Sequence, residues 1–452
     1  MTRASSPRWI ERAGTAVALI VLLGGLCALW LTGVSGRAHL AANIIGSYFV
    51  VWGLLLLVVK GSRAEMTMRF GLTSVALSVV FLCAEATAVI GGIDYRVVFG
   101  VPIQRALWQR PHRAFDPELG WVYKPYARFS GVTQGGVAKL LCLSNPPYPY
   151  SVRLDRHGFR NAEDLDTADV AVIGDSFIEA AETPSDRIMT SVLSRLTKST
   201  VANLGRGGYS PQQELIVLQR YALPLRPKVV VWTFYEGNDL LDLEYHDAMM
   251  SALARGELRV SPSAYERSFI LGALGGLYAL IEGCTPERGN WFSLGTFRTA
   301  EGQDVPIHFF MYTKLRNDSW SPQHAAALRR VRNVLQQAYE VMQGQGITLV
   351  VAFIPLSFRV YKDIVQCTDS LTDNSTCATW TINDLPQRFE TAVAEVSDRI
   401  PYIDLTPLFV AEARKGRLSY IPDDTHWSAE GHRVAAEAIA KSIKPFLRRR
   451  QP

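Results

Sequence analysis

The feature that most constrains this chain is a set of three long stretches near its start with almost no charge. Residues 13–36 and 39–59 contain no Asp, Glu, Lys or Arg, and residues 70–93 contain only Glu85. A helix needs roughly 20 apolar residues to cross the ~30 Å hydrocarbon core of a bilayer. The sequence therefore predicts three transmembrane helices, over about 14–35, 40–59 and 70–93, in an anchor of residues 1–96. A cleaved signal peptide is the alternative for the first stretch, but its uncharged run is long for one and two more spans follow.

Basic residues beside the predicted spans indicate their orientation. Three arginines precede the first span, and Lys60, Arg63 and Arg69 lie between the second and third, whereas the first connection has only Arg37. Because basic residues favour the cytoplasmic side, the residues after about 96 should lie outside the cytoplasm. We therefore expect a multi-pass protein of the cell (inner) membrane with a periplasmic or extracellular domain.

The composition excludes other classes of protein. Hydrophobic residues make up 48% of the chain and charged residues 20%, which is incompatible with general disorder. The net charge of +5 comes in part from the arginines at 448–450, and no basic stripe with interleaved aromatic residues is present. A nucleic-acid partner is therefore not expected.

The cysteines are consistent with a location outside the cytoplasm. Four of them follow the predicted anchor, an even number that permits two disulfide bonds, and no CxxC spacing suggests a metal. Cys367 and Cys377 flank a polar loop and are the expected pair, with four free thiols as the alternative.

Beyond the anchor, the pattern changes twice. Residues 97–164 are rich in proline, aromatic and turn residues, and we interpret them as an irregular lead-in packed on a main domain over 165–452. In that domain, continuous apolar runs at 170–173, 228–234, 347–354 and 400–405, and one ending near Asn203, alternate with amphipathic helical patterns. Such runs suit strands that are buried on both faces, so we predict an α/β domain with a parallel sheet. Residues 240–320 interrupt the alternation and are predicted to be an inserted cap.

A serine directly follows the first strand pattern. The segment 170–176 reads as a buried strand, a glycine turn and then Ser176, and open parallel sheets form their sites at the carboxyl ends of strands. A serine hydroxyl is a weak nucleophile unless a base takes its proton, and His426 is the candidate base. Asp423 lies three residues before His426, so its carboxylate can meet the other ring nitrogen within one turn.

Two further turns could supply donors to an oxyanion. A glycine-rich turn containing Gly208 follows the strand near Asn203, and Asn238 follows the valine-rich strand at 228–234. Both turns should meet Ser176 at the same edge of the sheet, where amide groups can stabilise the negative charge of a tetrahedral intermediate.

Together, these segments resemble the SGNH/GDSL hydrolase superfamily over about residues 165–445. The four blocks of that superfamily correspond here to Ser176 in Gly-Asp-Ser, Gly208, Asn238, and Asp423 with His426. Gly207 is an alternative to Gly208, and Asp424 is an alternative to Asp423. The third block departs from the Gly-x-Asn-Asp pattern because Gly237 lies directly before the asparagine.

The resemblance implies a flavodoxin-like three-layer α/β/α sandwich and acyl transfer from an oxygen ester. Ser176 would attack the carbonyl, and the amides of Ser176, Gly208 and Asn238 would hold the oxyanion, without a metal or other cofactor. The Asp-Thr-His-Trp run at 424–427 also resembles SGNH proteins of exopolysaccharide acetylation. That likeness implies an acyl-ester or glycan substrate in the envelope or outside the cell, acetyl as the acyl group, and a multi-span membrane O-acyltransferase as a partner.

The acceptor of the acyl group and the function of the chain stay open at this point. The acceptor of the acyl group is either water or a sugar hydroxyl, because hydrolases and transferases share the same residues. Two other functions fit the same chain: a catalytically silent glycan-binding scaffold, and a lipid esterase that acts at the membrane.

Overall fold

The computed structural model describes residues 19, 23, 50–52, 54, 63–90, 93–99, 112–258, 267–284, 286–287, 291–311, 320–368 and 377–448. The chain forms two units, Met1–Gln104 with Ser261–Thr285, and Arg105–Val260 with Pro286–Pro452. We call them the anchor unit and the catalytic unit, after the functions that the sequence analysis predicts for them.

The helices and strands are numbered along the chain. The strands are β1 (Arg113–Asp116), β2 (Gly120–Tyr123), β3 (Arg128–Thr133), β4 (Tyr148–Arg153), β5 (Val170–Gly174), β6 (Val201–Gly205), β7 (Val229–Tyr235), β8 (Phe292–Arg298), β9 (Asp304–Phe310), β10 (Thr348–Ile354), β11 (Gln366–Thr368) and β12 (Tyr402–Asp404). The helices are α1 (Arg63–Ile90), α2 (Tyr95–Val98), α3 (Gly136–Leu140), α4 (Ser176–Glu179), α5 (Met189–Thr197), α6 (Pro211–Val217), α7 (Asp239–Ala254), α8 (Phe269–Glu282), α9 (Pro322–Gln343), α10 (Ser357–Tyr361), α11 (Leu385–Val396), α12 (Thr406–Arg414) and α13 (Ala429–Leu447).

The described part of the anchor unit consists mainly of α1, α2 and α8. Within α1, Met68–Ile90 is long and apolar enough to cross a membrane, and it is the only such helix among the described residues. The structure therefore supports one candidate span where the sequence predicted three. The predicted spans at 14–35 and 40–59 lie almost wholly outside the described residues.

The catalytic unit is built on a five-stranded parallel sheet in the order β12-β10-β7-β5-β6. Counted along the chain, this is the order 2-1-3-4-5 of flavodoxin-like doubly wound sheets. All five strands lie where continuous apolar runs predicted them, so the α/β parallel-sheet prediction is confirmed. Those runs were informative because β5, β7 and most of β10 are buried on both faces.

Helices cover both faces of this sheet and give it two cores. Ile173 of β5 belongs to the core that includes α9 and α11, while its neighbour Val172 belongs to the core that includes α5 and α13. Neighbouring residues of a strand point to opposite faces, so both neighbours need an apolar partner layer. The result is a helix–sheet–helix arrangement in which the carboxyl ends of the strands share one edge.

The remaining strands lie outside the parallel sheet. The residues expected to form an irregular lead-in contain two short antiparallel pairs, β1–β2 and β3–β4. Trp121 and Val152 from these pairs are buried in the same core as α9 and α11. Strands β8, β9 and β11 form a separate antiparallel sheet, in the order β11-β8-β9.

The cysteines of the catalytic unit include one bonded pair whose positions are described. Cys367 and Cys377 form a disulfide bond with their Cα atoms 5.5 Å apart, and the cross-link closes a loop over a sequence separation of 10. Cys142 and Cys284 are also each disulfide-bonded. Cys83, on α1, is free.

Candidate active site

Ser176 lies at the carboxyl end of β5, where the strand turns sharply into α4. A Cβ atom on Gly174 would lie 2.0 Å from Thr233 Oγ1, so only glycine allows β5 to approach β7 this closely. Asp175 then caps the helix, because its Oδ1 accepts a hydrogen bond of 2.9 Å from the Phe177 N–H. The turn therefore presents the Ser176 side chain at the first position of a helix.

The imidazole of His426 bridges Ser176 and a carboxylate. Its Nε2 lies 2.8 Å from Ser176 Oγ, although 250 positions separate the two residues in the sequence. Its Nδ1 lies 2.5 Å from Asp424 Oδ1. The structure thus brings together the predicted serine and histidine in a hydrogen-bonded row with an aspartate.

The aspartate in this row is Asp424, the alternative to Asp423 in the sequence analysis. The Asp423 carboxylate turns away and accepts a hydrogen bond of 2.9 Å from Asn145 Nδ2. The prediction assumed helical spacing before His426, but residues 421–427 are not helical. The Asp424 N–H donates to the Ile421 carbonyl in a tight turn, and the two consecutive aspartates make different contacts.

Three amide groups of the lead-in hold this turn in place. The Gly136 N–H donates to Asp424 Oδ2 at 2.5 Å, and the Val137 and Ala138 N–H groups donate to the Asp423 carbonyl at 3.1 and 3.2 Å. Sequence reasoning missed these contacts, although the glycine pair at 135–136 was a visible signal of close backbone approach. The lead-in is therefore part of the site.

Charge around His426 stabilises its protonated form. Burial on its own would lower the pKa of His426, but the carboxylates of Glu182 and Asp424 outweigh it and raise the pKa to about 10. Burial would raise the pKa of Asp424, yet the imidazole and its hydrogen bonds lower that pKa to about 2. The pair is suited to hold a proton taken from Ser176, because the carboxylate stabilises an imidazolium.

The two candidate oxyanion glycines differ in their surroundings. Gly207 lies beside the nucleophile, since a Cβ on it would be 3.4 Å from Ser176 Cβ, but its N–H donates to Glu179 Oε2 at 2.6 Å. Gly208 has a positive φ of 74°, and no hydrogen-bond partner for its N–H is found among the described residues. Glu179 also accepts a hydrogen bond of 2.8 Å from the Tyr123 hydroxyl, so a lead-in residue helps to fix this turn.

Asn238 faces the same cavity as the serine and the histidine. This cavity of about 190 Å³ is lined by Ser176, Tyr235, Gly237, Asn238, Phe310, Met311, Leu356, Thr425 and His426. The Asn238 Nδ2 donates to Asp242 Oδ2 at 2.7 Å, which fixes the amide and leaves one N–H for a ligand. Burial, followed by the nearby Asp175 carboxylate, raises the pKa of Asp242 to about 8.

The contact between the lead-in and the turn at 421–427 requires a glycine at position 135, and a substitution can test this requirement. A Cβ there would lie 2.1 Å from the Asp423 carbonyl oxygen, so Gly135→Ala must displace the turn that carries Asp424. We expect a loss of roughly 10²-fold in kcat for a small acetyl ester, the usual cost of misplacing a catalytic group by about 1 Å. Gly344→Ala is the matched control, because a Cβ there finds only contacts of 3.7 Å or longer. Equal activity of the two variants would show that the lead-in does not position Asp424.

A serine, a histidine and an aspartate hydrogen-bonded in a row, at the carboxyl edge of a flavodoxin-ordered sheet, define the class of serine-nucleophile α/β domains. Residues 311–451 match the family model described as an SGNH hydrolase-like domain of the acetyltransferase AlgX. These residues are similar to that family, and the predicted SGNH resemblance is confirmed. The match includes Asp424 and His426 but begins after Ser176, Gly208 and Asn238.

Several solved structures show a weak overall likeness. A GDSL-like lipase from Bacteroides thetaiotaomicron is 11% identical with a TM-score of 0.29, covering 61% of this chain and 87% of that chain. An acetyl xylan esterase is 11% identical with a TM-score of 0.31, covering 61% and 99%. A two-domain esterase active on acetylated mannans is 10% identical with a TM-score of 0.31, covering 63% and 50%. A search of curated proteins found no significant match.

Proposed function

We propose that the protein is a membrane-anchored serine esterase or O-acyltransferase that handles acyl esters of an envelope or extracellular glycan. The observation that carries this proposal is the row Ser176 Oγ, His426 Nε2 and Nδ1, and Asp424 Oδ1, with separations of 2.8 and 2.5 Å. The match to an acetyltransferase family supports acetyl as the acyl group.

The reaction has two halves, both carried by these residues. Ser176 Oγ attacks the ester carbonyl while His426 Nε2 takes its proton, and the imidazolium then gives the proton to the departing alcohol oxygen. The resulting acyl-serine is attacked by water or a sugar hydroxyl, whose proton passes to His426 and then to Ser176 Oγ as the acyl–serine bond breaks. Asp424 fixes the ring so that Nε2 faces the serine in both halves.

Negative charge on the carbonyl oxygen needs donors during both attacks. We assign this role to the N–H groups of Ser176 and Gly208 and to the Asn238 side-chain amide. The hydrogen bond from Gly207 to Glu179 supports Gly208 over Gly207, because the Gly207 N–H is already engaged. Removal of one such donor costs about 10²–10³ in rate in other serine enzymes.

The cavity walls support a short acyl group. Tyr235, Met311 and Leu356 are nearly fully buried and line the cavity of about 190 Å³ beside Ser176. An acetyl methyl group can be enclosed there, whereas a long fatty-acyl chain would need a longer channel. The same walls argue against the lipid-esterase alternative.

The location outside the cytoplasm is part of the proposal. The basic residues near the candidate span favour this orientation, and the Cys367–Cys377 disulfide is typical of an oxidising compartment. A transferase in that compartment needs an acyl donor, and a multi-span membrane O-acyltransferase is the partner that would supply one.

An assay of the full-length protein in lipid nanodiscs tests the activity. We expect hydrolysis of p-nitrophenyl acetate, with p-nitrophenyl octanoate turned over far more slowly because the cavity has a volume of only about 190 Å³. Adding neutral or acidic oligosaccharides separates the two reactions: a transferase yields acetylated sugar by mass spectrometry, and a hydrolase yields only acetate. Faster turnover of the octanoate would contradict the short-acyl assignment and favour a lipid esterase.

A further inference from the structure

Helix α8 (Phe269–Glu282) is apolar and packs in the anchor unit. The residues before and after this segment of the chain belong to the catalytic unit. Two of its glycines allow a very close approach to α2 and the residue after it. A Cβ on Gly272 would lie 2.8 Å from the Tyr95 carbonyl carbon, and one on Gly276 would lie 2.7 Å from the Phe99 carbonyl oxygen. Small residues four positions apart are how helices in membranes approach closely.

Aromatic rings add to this packing at the start of α8. The Phe269 ring lies 4.9 Å from the ring of Tyr95, 5.4 Å from that of Phe99 and 5.9 Å from that of Phe81 on α1. These contacts fix α8 against both neighbouring helices of its unit.

Glu85, the single acidic residue of the candidate span, accepts hydrogen bonds at the start of α8. Glu85 Oε1 accepts hydrogen bonds from Ser268 Oγ at 2.7 Å and from the Ile270 N–H at 2.9 Å. The first amides of a helix lack partners within the helix, and a carboxylate there satisfies them and complements the helix dipole. An acidic residue inside an apolar span is costly, and this contact gives Glu85 a structural partner.

Among the described residues, the part of the α8 surface that α1 and α2 leave exposed is apolar. Ile270, Leu277, Leu280 and Ile281 are 40%, 37%, 82% and 67% exposed, and residues 269–281 contain no charged side chain. The candidate span in the same unit is also exposed, with Leu72 at 61%. Two adjoining helices with exposed apolar faces, one of them long enough to cross a bilayer, point to the same apolar surroundings.

We propose that α8 is a re-entrant membrane helix whose exposed face contacts lipid acyl chains in one leaflet. Its 14 residues give about 21 Å of helix at 1.5 Å per residue, too short to cross a core of about 30 Å. Both ends of the segment also lead back to the same catalytic unit, so the chain must enter and leave the bilayer on one side. The inference rests on the proposed membrane anchoring, and it ties the catalytic unit to the bilayer by additional chain connections.

Site-specific photocrosslinking of the full chain in nanodiscs tests this contact. The photoreactive residue benzoylphenylalanine replaces Leu280, with Leu72 on α1 as the membrane control and Leu408 as a control in the catalytic unit. Leu408 is 40% exposed and apolar, so it matches the test position in chemistry but not in proposed surroundings. We expect phospholipid adducts, identified by mass spectrometry, at positions 280 and 72 and none at 408.

The controls make each outcome decisive. Lipid adducts at position 72 without any at position 280 would overturn the re-entrant helix and leave the anchor intact. Crosslinks from position 280 to a second protein or to the catalytic unit would overturn it in favour of a protein partner. Absence of lipid at both positions would remove the membrane anchoring as well, while fluorophosphonate labelling of Ser176 would report independently on the enzyme.

Discussion

Ser176→Ala should abolish both covalent labelling by a fluorophosphonate and turnover of a small acetyl ester. Only a hydroxyl whose proton can pass to a base reacts quickly with such a probe, and Ser176 Oγ lies 2.8 Å from His426 Nε2. We expect a loss on the order of 10⁴-fold or more in kcat, the range seen when a member of a serine triad is removed. His426→Ala should lose nearly as much, because the serine and the histidine act as one unit.

Ser176→Ala should have little effect on the stability of the fold, because it removes one oxygen atom at a cavity wall. Circular dichroism and thermal unfolding should therefore match those of the parent protein. Ser251→Ala is the control, because Ser251 is exposed on α7, away from the cavity lining, and the variant should keep full labelling. Asn238→Ala should keep some labelling and lose about 10²–10³ in rate.

The same variants separate an enzyme from a scaffold. If Ser176 resists the probe and Ser176→Ala supports full function in cells, the enzymatic proposal fails. A glycan-binding scaffold would then replace it, and the aromatic residues of the insertion over 240–320 would be the first to substitute.

Asp424→Asn should lower kcat by about 10³–10⁴, whereas Asp423→Asn should cost less than about tenfold. An asparagine at 424 can hold the imidazole in the wrong tautomer, the effect that costs about 10⁴ in a well-studied triad. Asp423 instead receives a hydrogen bond from Asn145, and an amide of the same shape can keep that contact. The two neighbours are thus matched controls for each other in size, charge and position in the chain.

The pH profile gives this comparison a second readout. His426 must be neutral to take the proton of Ser176, and the carboxylates of Glu182 and Asp424 outweigh burial to raise its pKa to about 10. Activity of the parent protein should therefore increase with pH through the neutral range towards that pKa. Asp424→Asn removes one of these charges, lowers the pKa of His426 and moves the rising limb to lower pH. Asp423→Asn should leave the limb in place. Equal losses and equal shifts in both variants would reverse the assignment of Asp424.

The sheet and the position of Ser176 could be predicted because both depend on local signals. Strands buried on both faces leave continuous apolar runs, and a glycine turn after such a run places the next side chain at the edge of the sheet. The position of Ser176 follows from that logic without knowledge of distant contacts.

Choices between adjacent residues could not be made in the same way. Asp424 faces His426 because the amides of Gly136 and Val137 hold the 421–427 turn, and the lead-in lies about 290 residues earlier in the chain. The Gly207 N–H is engaged because Glu179 reaches it from α4. Likewise, the apolar composition of α8 fits a cap helix and a membrane helix equally well, and only its contacts with Glu85 and Tyr95 show that it packs in the anchor unit.

The residues of the site come from segments that lie far apart in the sequence and are therefore synthesised at different times. Ser176 is 250 positions from His426, and the Gly136 amide that contacts Asp424 is 288 positions from it. A nascent or truncated chain that already contains Ser176 but lacks residues 424–426 has neither the base nor its orienting carboxylate. Its serine hydroxyl is then no more reactive than an ordinary alcohol. Ester chemistry should therefore be silent throughout synthesis and export, and should begin only when the C-terminal segment has reached the same compartment and folded onto the rest.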